Sequence, residues 1–291
     1  MMQSITTFMA ALGKYDFLQS ALITAIMVGV MSGIIGSFII LRGMSMMGDA
    51  ISHAVLPGVA VAYMLGINVL IGASVFGILA ASLIGFVASR SKIKTDTSIG
   101  IVFSAFYALG FILISLAESS TNLHHILFGN ILAVSDTDMM TTTVVLGLVI
   151  LFVVFFYKEL LITSFDPTFA KTYGLKVQLL HYALMLVLTL VTVSALQTVG
   201  IILVVAMLIT PAATAFLWTE RLAVMLGLSA LIGVLSSVVG LYLSYTLNCA
   251  SGPAIVLVAA IFFGISFIIS PKQALLPTLW KGQAAARRVT A

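Results

Sequence analysis

The sequence predicts an all-α polytopic membrane protein of about nine transmembrane helices, and three observations carry that expectation. Of its 291 residues, 62% are hydrophobic and 8% charged, too apolar a chain to be hidden inside a soluble core. Apolar runs of roughly 17–25 residues recur along nearly the whole length, which suits membrane helices and lacks the alternation of a barrel. Basic residues fall between alternate runs, and no soluble domain of useful size remains between them.

Residues 1–16, with Lys14 and Asp16, are mildly amphipathic and are expected to lie at the interface without crossing. No basic n-region or small-residue cleavage site marks them as a removed signal. The first span covers about Phe17–Leu41 and is closed by Arg42; Gly29, Gly33 and Gly36 share helical spacing and let another helix approach closely. The second, about Asp49–Leu65, is interrupted by Pro57 and Gly58, a break tolerated only where protein or a watery cavity satisfies the freed backbone groups. The third, about Val69–Ser89, ends in Arg90, Lys92 and Lys94, and the fourth covers about Ser98–Ala117. A polar loop from Glu118 to Asp138 precedes the fifth, about Met139–Tyr157, which is followed by a charged connector, Lys158–Gln178. Spans six, seven and eight fall near Leu179–Leu196, Val199–Leu217 and Leu222–Leu247, and the ninth, near Pro253–Ser270, runs into Pro271. Only Gln197 and Thr198 mark the boundary between six and seven, so eight spans with a re-entrant segment is the alternative. The organisation is an interfacial segment over 1–16, a membrane domain over 17–271 and a basic tail over 272–291.

Orientation follows from counting. With nine spans and the carboxyl end in the cytoplasm, the inner connections hold Arg42, then Arg90, Lys92 and Lys94, then Lys158, Lys171 and Lys176, then Arg221. The tail adds Lys272, Lys281, Arg287 and Arg288, leaving only Lys14 of the 13 basic residues outside. Lysine and arginine favour the cytoplasmic side, so this topology is preferred over its inverse, with the amino terminus outside. The net charge of +4 reports orientation and calls for no nucleic-acid partner. The single cysteine, Cys249, excludes an intrachain disulfide and a multi-thiolate metal site.

The stretch Arg42–Gly58, RGMSMMGDAISHAVLPG, places Asp49 and His53 among Met, Ala, Ile, Val and Leu. Four residues apart on a helix, they share one face with about 5–6 Å between Cβ atoms, so both can reach one cation. A charged side chain near the middle of a bilayer costs roughly 2.5–3.5 kcal/mol, so Asp49 needs a pore, a partner or a metal. The competing reading makes Asp49 an N-cap that satisfies backbone donors and needs no ligand. Two ligands also fall short of the roughly four to six a divalent cation takes. Met46 and Met47 are read as helix packing before soft ligands.

Two connectors have content of their own. In FDPTFAKTYGLKV, Phe165–Val177, Asp166 suits an N-cap, Pro167 the first helical position and Gly174 the end, so a short helix of two turns is expected. It serves either as an interfacial connector or as a rigid knob that docks into a partner and carries motion to the spans. In the outer loop, His124 and His125 lie with Asp136 and Asp138 around a Leu-Phe-Gly-Asn segment containing Phe128 and Asn130. Imidazole and carboxylate suit an incoming dication, but a lid over the pore explains the segment without one. The chain has no G-x-x-x-x-G-K-[ST] phosphate loop, no H-E-x-x-H and no serine nucleophile motif.

Taken together, LRGMSMMGDAISHAVLPG, LFGNILAVSD, FDPTFAKTYGL and VGIILVVAMLITPAATA resemble the membrane permease of the ABC-type manganese/zinc/iron importers, over about Asp16 to Pro271. More distantly the layout resembles the cobalamin and siderophore permeases, with one fewer amino-terminal span. The resemblance implies a homodimer in the bacterial cytoplasmic membrane, two cytoplasmic ATPase subunits and an extracellular or periplasmic metal-binding protein. It implies that Asp49 and His53 of the D-A-x-S-H-A motif contact the transported Mn²⁺, alternatively Zn²⁺ or Fe²⁺, with no permanently bound cofactor and no enzymatic activity of its own. It implies that Asp166, Pro167, Ala170 and Gly174 couple the permease to its ATPase; the outer gate, His124, His125, Phe128 and Asn130, is an expectation from the loop's own residues. A twofold axis along the pore would bring two Asp49/His53 pairs together, supplying four ligands where one copy has two. An ion-gradient-driven carrier and a membrane-embedded metal enzyme are the competing classes; the first predicts uptake without an ATPase, the second turnover by the isolated chain.

Overall fold

The computed structural model describes residue 8 and residues 10–116 and 131–270. Among them are twelve principal helices and no strand. Numbered in chain order, they are α1 (Asp16–Leu41), α2 (Met46–Ala54), α3 (Leu56–Leu65), α4 (Val69–Arg90), α5 (Thr95–Leu116), α6 (Asp136–Phe155), α7 (Tyr157–Phe165), α8 (Pro167–Thr172), α9 (Val177–Val199), α10 (Ile201–Trp218), α11 (Leu222–Leu247) and α12 (Ser251–Ile269). Taking α2 and α3 as one broken span, nine are long and apolar enough to cross a membrane.

Helix α1 is the axis of the bundle. Leu18, Met31, Ile35, Phe38 and Ile39 are almost wholly buried, and α1 packs against α11, α10 and α6. Its glycines make the contact with α11 possible: a Cβ on Gly29 would lie 2.8 Å from the Gly233 carbonyl carbon, and one on Gly33 2.7 Å from the Ser229 oxygen. A Cβ on Gly36 would run into the Leu208 carbonyl of α10. The predicted packing role of the three glycines is therefore what they perform. Hydroxyls reinforce the seam, as small-residue membrane interfaces allow. Ser229 Oγ donates to the Gly33 carbonyl at 2.8 Å and Ser237 Oγ to the Ala25 carbonyl at 2.9 Å.

The break in the second span is packed in protein, although the span has exposed residues on either side of it. Pro57 has no N–H to offer the carbonyl of His53 four residues back, and its ring crowds that position. The helix accordingly breaks at Val55, between α2 and α3. Val55, Leu56, Pro57 and Gly58 are all buried. Gly58 meets Gly72 of α4 backbone to backbone, and Gly110 of α5 is pressed against Leu56 and Pro57. Protein rather than a watery cavity surrounds this break.

Between spans six and seven the chain turns on one residue. Gly200 has φ +80°, a conformation in which an L side chain is strained, so it ends α9 and starts α10 without a loop. Helices α9 and α10 run for 23 and 18 residues. That length decides for nine spans over eight with a re-entrant segment.

Ahead of α1, Phe8 is buried against the rings of Tyr242 and Tyr245 on α11, with centroids 5.5 Å away in both cases.

Candidate functional site

Asp49 and His53 both lie within α2, Asp49 in its first turn as the fourth helical residue and His53 near its end. Ser45, not Asp49, flanks the helix start, so the N-cap reading of Asp49 does not apply. The helical period brings His53 Nε2 to 3.6 Å from Asp49 Oδ1, an electrostatic contact just beyond hydrogen-bond length. The Asp49 side chain is 41% exposed and that of His53 25%, so the carboxylate is open on the protomer surface while the imidazole is recessed. His53 Nδ1 is buried with no hydrogen-bond partner among the described residues. No third His, Cys, Asp or Glu joins the pair among the described residues. The two side chains can offer one carboxylate oxygen and one imidazole nitrogen to a cation from a single copy.

Two aromatic residues absent from the sequence reading complete the wall. Phe103 and Tyr107 of α5 stand edge-on to the His53 ring, with centroids 5.5 and 5.4 Å away, and stack on each other at 5.8 Å. They are one helical turn apart, but nothing in an apolar span distinguishes them from other aromatics facing lipid. Of the two methionines read as packing, Met47 is buried at 1% exposure; Met46, at 62%, instead lies on the open side of α2 with Asp49, three residues on.

At one end of the bundle the short helix of the connector is α8. The Asp166 carboxylate Oδ1 accepts from the backbone N–H groups of Thr168 at 3.0 Å and Phe169 at 2.8 Å, and Pro167 is the first helical residue. Ala170 is buried, and Gly174 takes φ +88° just beyond the helix end. The helix spans six residues, shorter than the two turns expected. Phe169 and Tyr173, 55% and 71% exposed, stack at 6.2 Å on its outer side. The sequence signal for them was an i, i+4 aromatic pair in a charged connector.

Arg42 ties this end together. From the turn after α1 its Nη2 donates to Thr163 Oγ1 at 2.9 Å and its Nε to Ser164 Oγ at 3.2 Å, both in α7. Burial pulls the guanidinium down to about 10, which leaves it charged at neutral pH. The turn it occupies leads into α2, so one side chain links the helix carrying Asp49 to the helix preceding α8.

His124, His125, Phe128 and Asn130 lie outside the described residues. On the described side of that loop, Asp138 is engaged in capping α6, accepting from Ser135 Oγ at 2.6 Å while Ser135 Oγ accepts from the Asp138 backbone N–H at 3.2 Å.

Comparison with known proteins gives concordant matches. The family model described as ABC 3 transport family matches residues 14–270. The manganese transport system membrane protein MntC of Listeria innocua is 65% identical over 269 residues, covering 92% of this chain and 96% of that one. Among solved structures, PsaBC from Streptococcus pneumoniae in complex with Fab contains a chain of 57% identity and TM-score 0.85, covering 94% of this chain and 99% of that one. A putative metal-chelate type ABC transporter in an inward-facing conformation matches with TM-score 0.68 at 19% identity, covering 85% and 84%; it shares the fold.

Proposed function

The chain belongs to the ABC 3 transport family, and we propose that it is the permease of an ATP-driven importer of divalent transition-metal ions in the bacterial cytoplasmic membrane, with Mn²⁺ as the cargo. It works as a homodimer with separate ATPase subunits and an extracellular metal-binding protein, and hydrolyses nothing itself. The observation that carries this reading is the pairing of Asp49 and His53 on a half-open face of a membrane helix, in a chain 65% identical to a manganese transport protein.

A carboxylate left 41% exposed on an apolar bundle is expensive in lipid. A second copy facing it across a twofold axis would remove it from lipid and raise the ligand count from two to four. Oxygen and nitrogen donors suit Mn²⁺, Zn²⁺ and Fe²⁺ alike, and intrinsic affinity ranks zinc above manganese, so the assignment of manganese rests on the likeness to MntC rather than on donor type. His53 turns Nε2 toward Asp49, so that nitrogen is the one placed to bind the cation, with the ring proton then on Nδ1.

Transport needs the site to bind and then release. ATP-driven closure of the partner subunits moves α8; the motion passes through α7 and Arg42 to the turn ahead of α2 and changes the setting of Asp49 and His53. The differential binding of ATP to the two conformations supplies the free energy. The test is manganese uptake by cells whose own copy is replaced by Asp49→Ala or His53→Ala. An Asp49→Ala protein that is expressed, assembles with an ATPase and imports manganese at the unsubstituted rate removes the site. An ion-gradient carrier would import metal with no ATPase co-purifying.

A further inference from the structure

Around Arg42 the structure has an open cleft of about 550 Å³ between α8 and the spans. Its charged lining is basic: Arg42 and Lys171 of α8 line it beside the imidazole of His181 of α9, and no aspartate or glutamate does among the described residues. Ser89, Thr95, Thr163 and Tyr182 add hydroxyls. Arg42 spends two donors on Thr163 and Ser164 and has no carboxylate partner among the described residues. A partly buried guanidinium sharing a cleft with an ammonium and an imidazole, with no carboxylate in the lining among the described residues, is a setting for an anion, and the planar fork of arginine matches phosphate oxygens. The sequence beyond residue 270 contains no acidic side chain that could supply the missing charge.

Deeper along the same two helices lies a second hollow, separated from the first by the Tyr182 ring. It has a volume of about 140 Å³ and is lined, besides Tyr182, by Ile78, Ala81, Ser82, Met185 and Leu186. Along α4 the lining residues step from Ser89 through Gly85 to Ser82 and Ile78, and along α9 from Gln178 through Tyr182 to Leu186. Each step is about one helical turn, so the two rows form a groove running from the basic wall toward the middle of the bilayer. Gly85 makes room for the Tyr182 ring, which an added Cβ would meet at 2.8 Å.

We propose that this is a binding site for one anionic glycerophospholipid: its phosphodiester lies against Arg42, Lys171 and His181, and one acyl chain follows the groove between α4 and α9. A soluble phosphate would use the basic wall and leave the apolar groove without purpose. Basic pockets between membrane helices on the cytoplasmic side take such headgroups.

The experiment uses the permease assembled with its ATPase, reconstituted with equal phosphatidylglycerol and phosphatidylcholine and then stripped with neutral detergent before native mass spectrometry. The expected result is retained phosphatidylglycerol in preference to phosphatidylcholine. Lys171→Gln, which removes a charge and no recorded hydrogen bond, should lower retention about fivefold, the factor one basic residue contributes. Ser82→Trp, which fills the groove at an exposed small residue, should also lower it while leaving the basic wall intact. Equal retention of both lipids, retention unaffected by either substitution, or displacement by glycerol phosphate as effective as by phosphatidylglycerol would overturn the assignment. So would a complex that holds no lipid because the ATPase fills the cavity.

Discussion

Arg42 and Thr163, 121 residues apart in sequence, are joined by a 2.9 Å hydrogen bond that connects the turn before α2 to the helix before α8. A hydrogen bond to a charged donor contributes about 1.5–3 kcal/mol, enough to make two elements move together. Replacing Thr163 with Val and Ser164 with Ala removes both acceptors while keeping the charge. The expected outcome is a transporter that still binds metal and hydrolyses ATP but imports manganese several-fold more slowly per ATP. Uptake and hydrolysis measured on the same reconstituted vesicles check it, and an unchanged ratio rejects the linkage.

The aromatic wall around His53 should tune the site without being part of it. Phe103→Ala or Tyr107→Ala frees the imidazole to rotate by removing an edge-on ring contact, the kind that contributes about 0.5–1.5 kcal/mol. Both are expected to raise the manganese concentration for half-maximal uptake several-fold while leaving expression unchanged. Tyr107→Phe keeps the ring and should restore most of the affinity.

Phe169 of α8 and Tyr173 at its C-cap are exposed, and under the proposed docking of this connector on an ATPase they are its anchors. Buried aromatic anchors at interfaces contribute about 2 kcal/mol or more each, so Tyr173→Ala should weaken the permease–ATPase complex about 30-fold. Co-purification at graded detergent and salt measures this. Asp166→Ala, which removes the two hydrogen bonds that cap the helix, should cost about 1 kcal/mol of local stability and give a milder version of the same defect.

The seam between α1 and α11 predicts a contrast among glycines. Gly233→Val forces a side chain into the Gly29 backbone, which a Cβ alone would meet within 2.9 Å at the carbonyl carbon. Overpacking of this kind costs typically about 1–3 kcal/mol and more where backbone cannot retreat. Gly227→Ala, on the same helix with nothing within 4 Å, should be neutral or slightly stabilising. Thermal unfolding of the two purified variants distinguishes them, and equal midpoints would mean the seam tolerates separation.

Much of the architecture was legible from the chain alone because a bilayer imposes a local rule. A segment that crosses must satisfy its own backbone and remain apolar for about 20 residues, and both requirements are written in consecutive residues. The pairing of Asp49 with His53 was legible for the same reason, since a helix alone sets the distance between positions four apart. So was the capped helix starting at Asp166 and Pro167, which depends on neighbours within a few residues. What the tertiary structure decided is which side of each span faces inward. Lipid and protein interior are about equally apolar, so hydropathy does not distinguish the face of α5 that carries Phe103 and Tyr107 to His53 from the rest of that helix. The meeting of Arg42 with Thr163, the basic cavity they border and the exposure of Met46 beside a buried Met47 likewise arise from helices brought together across long sequence separations. Contacts of that kind follow from side-chain shape and close approach at residues such as Gly29 and Gly233, which only packing selects.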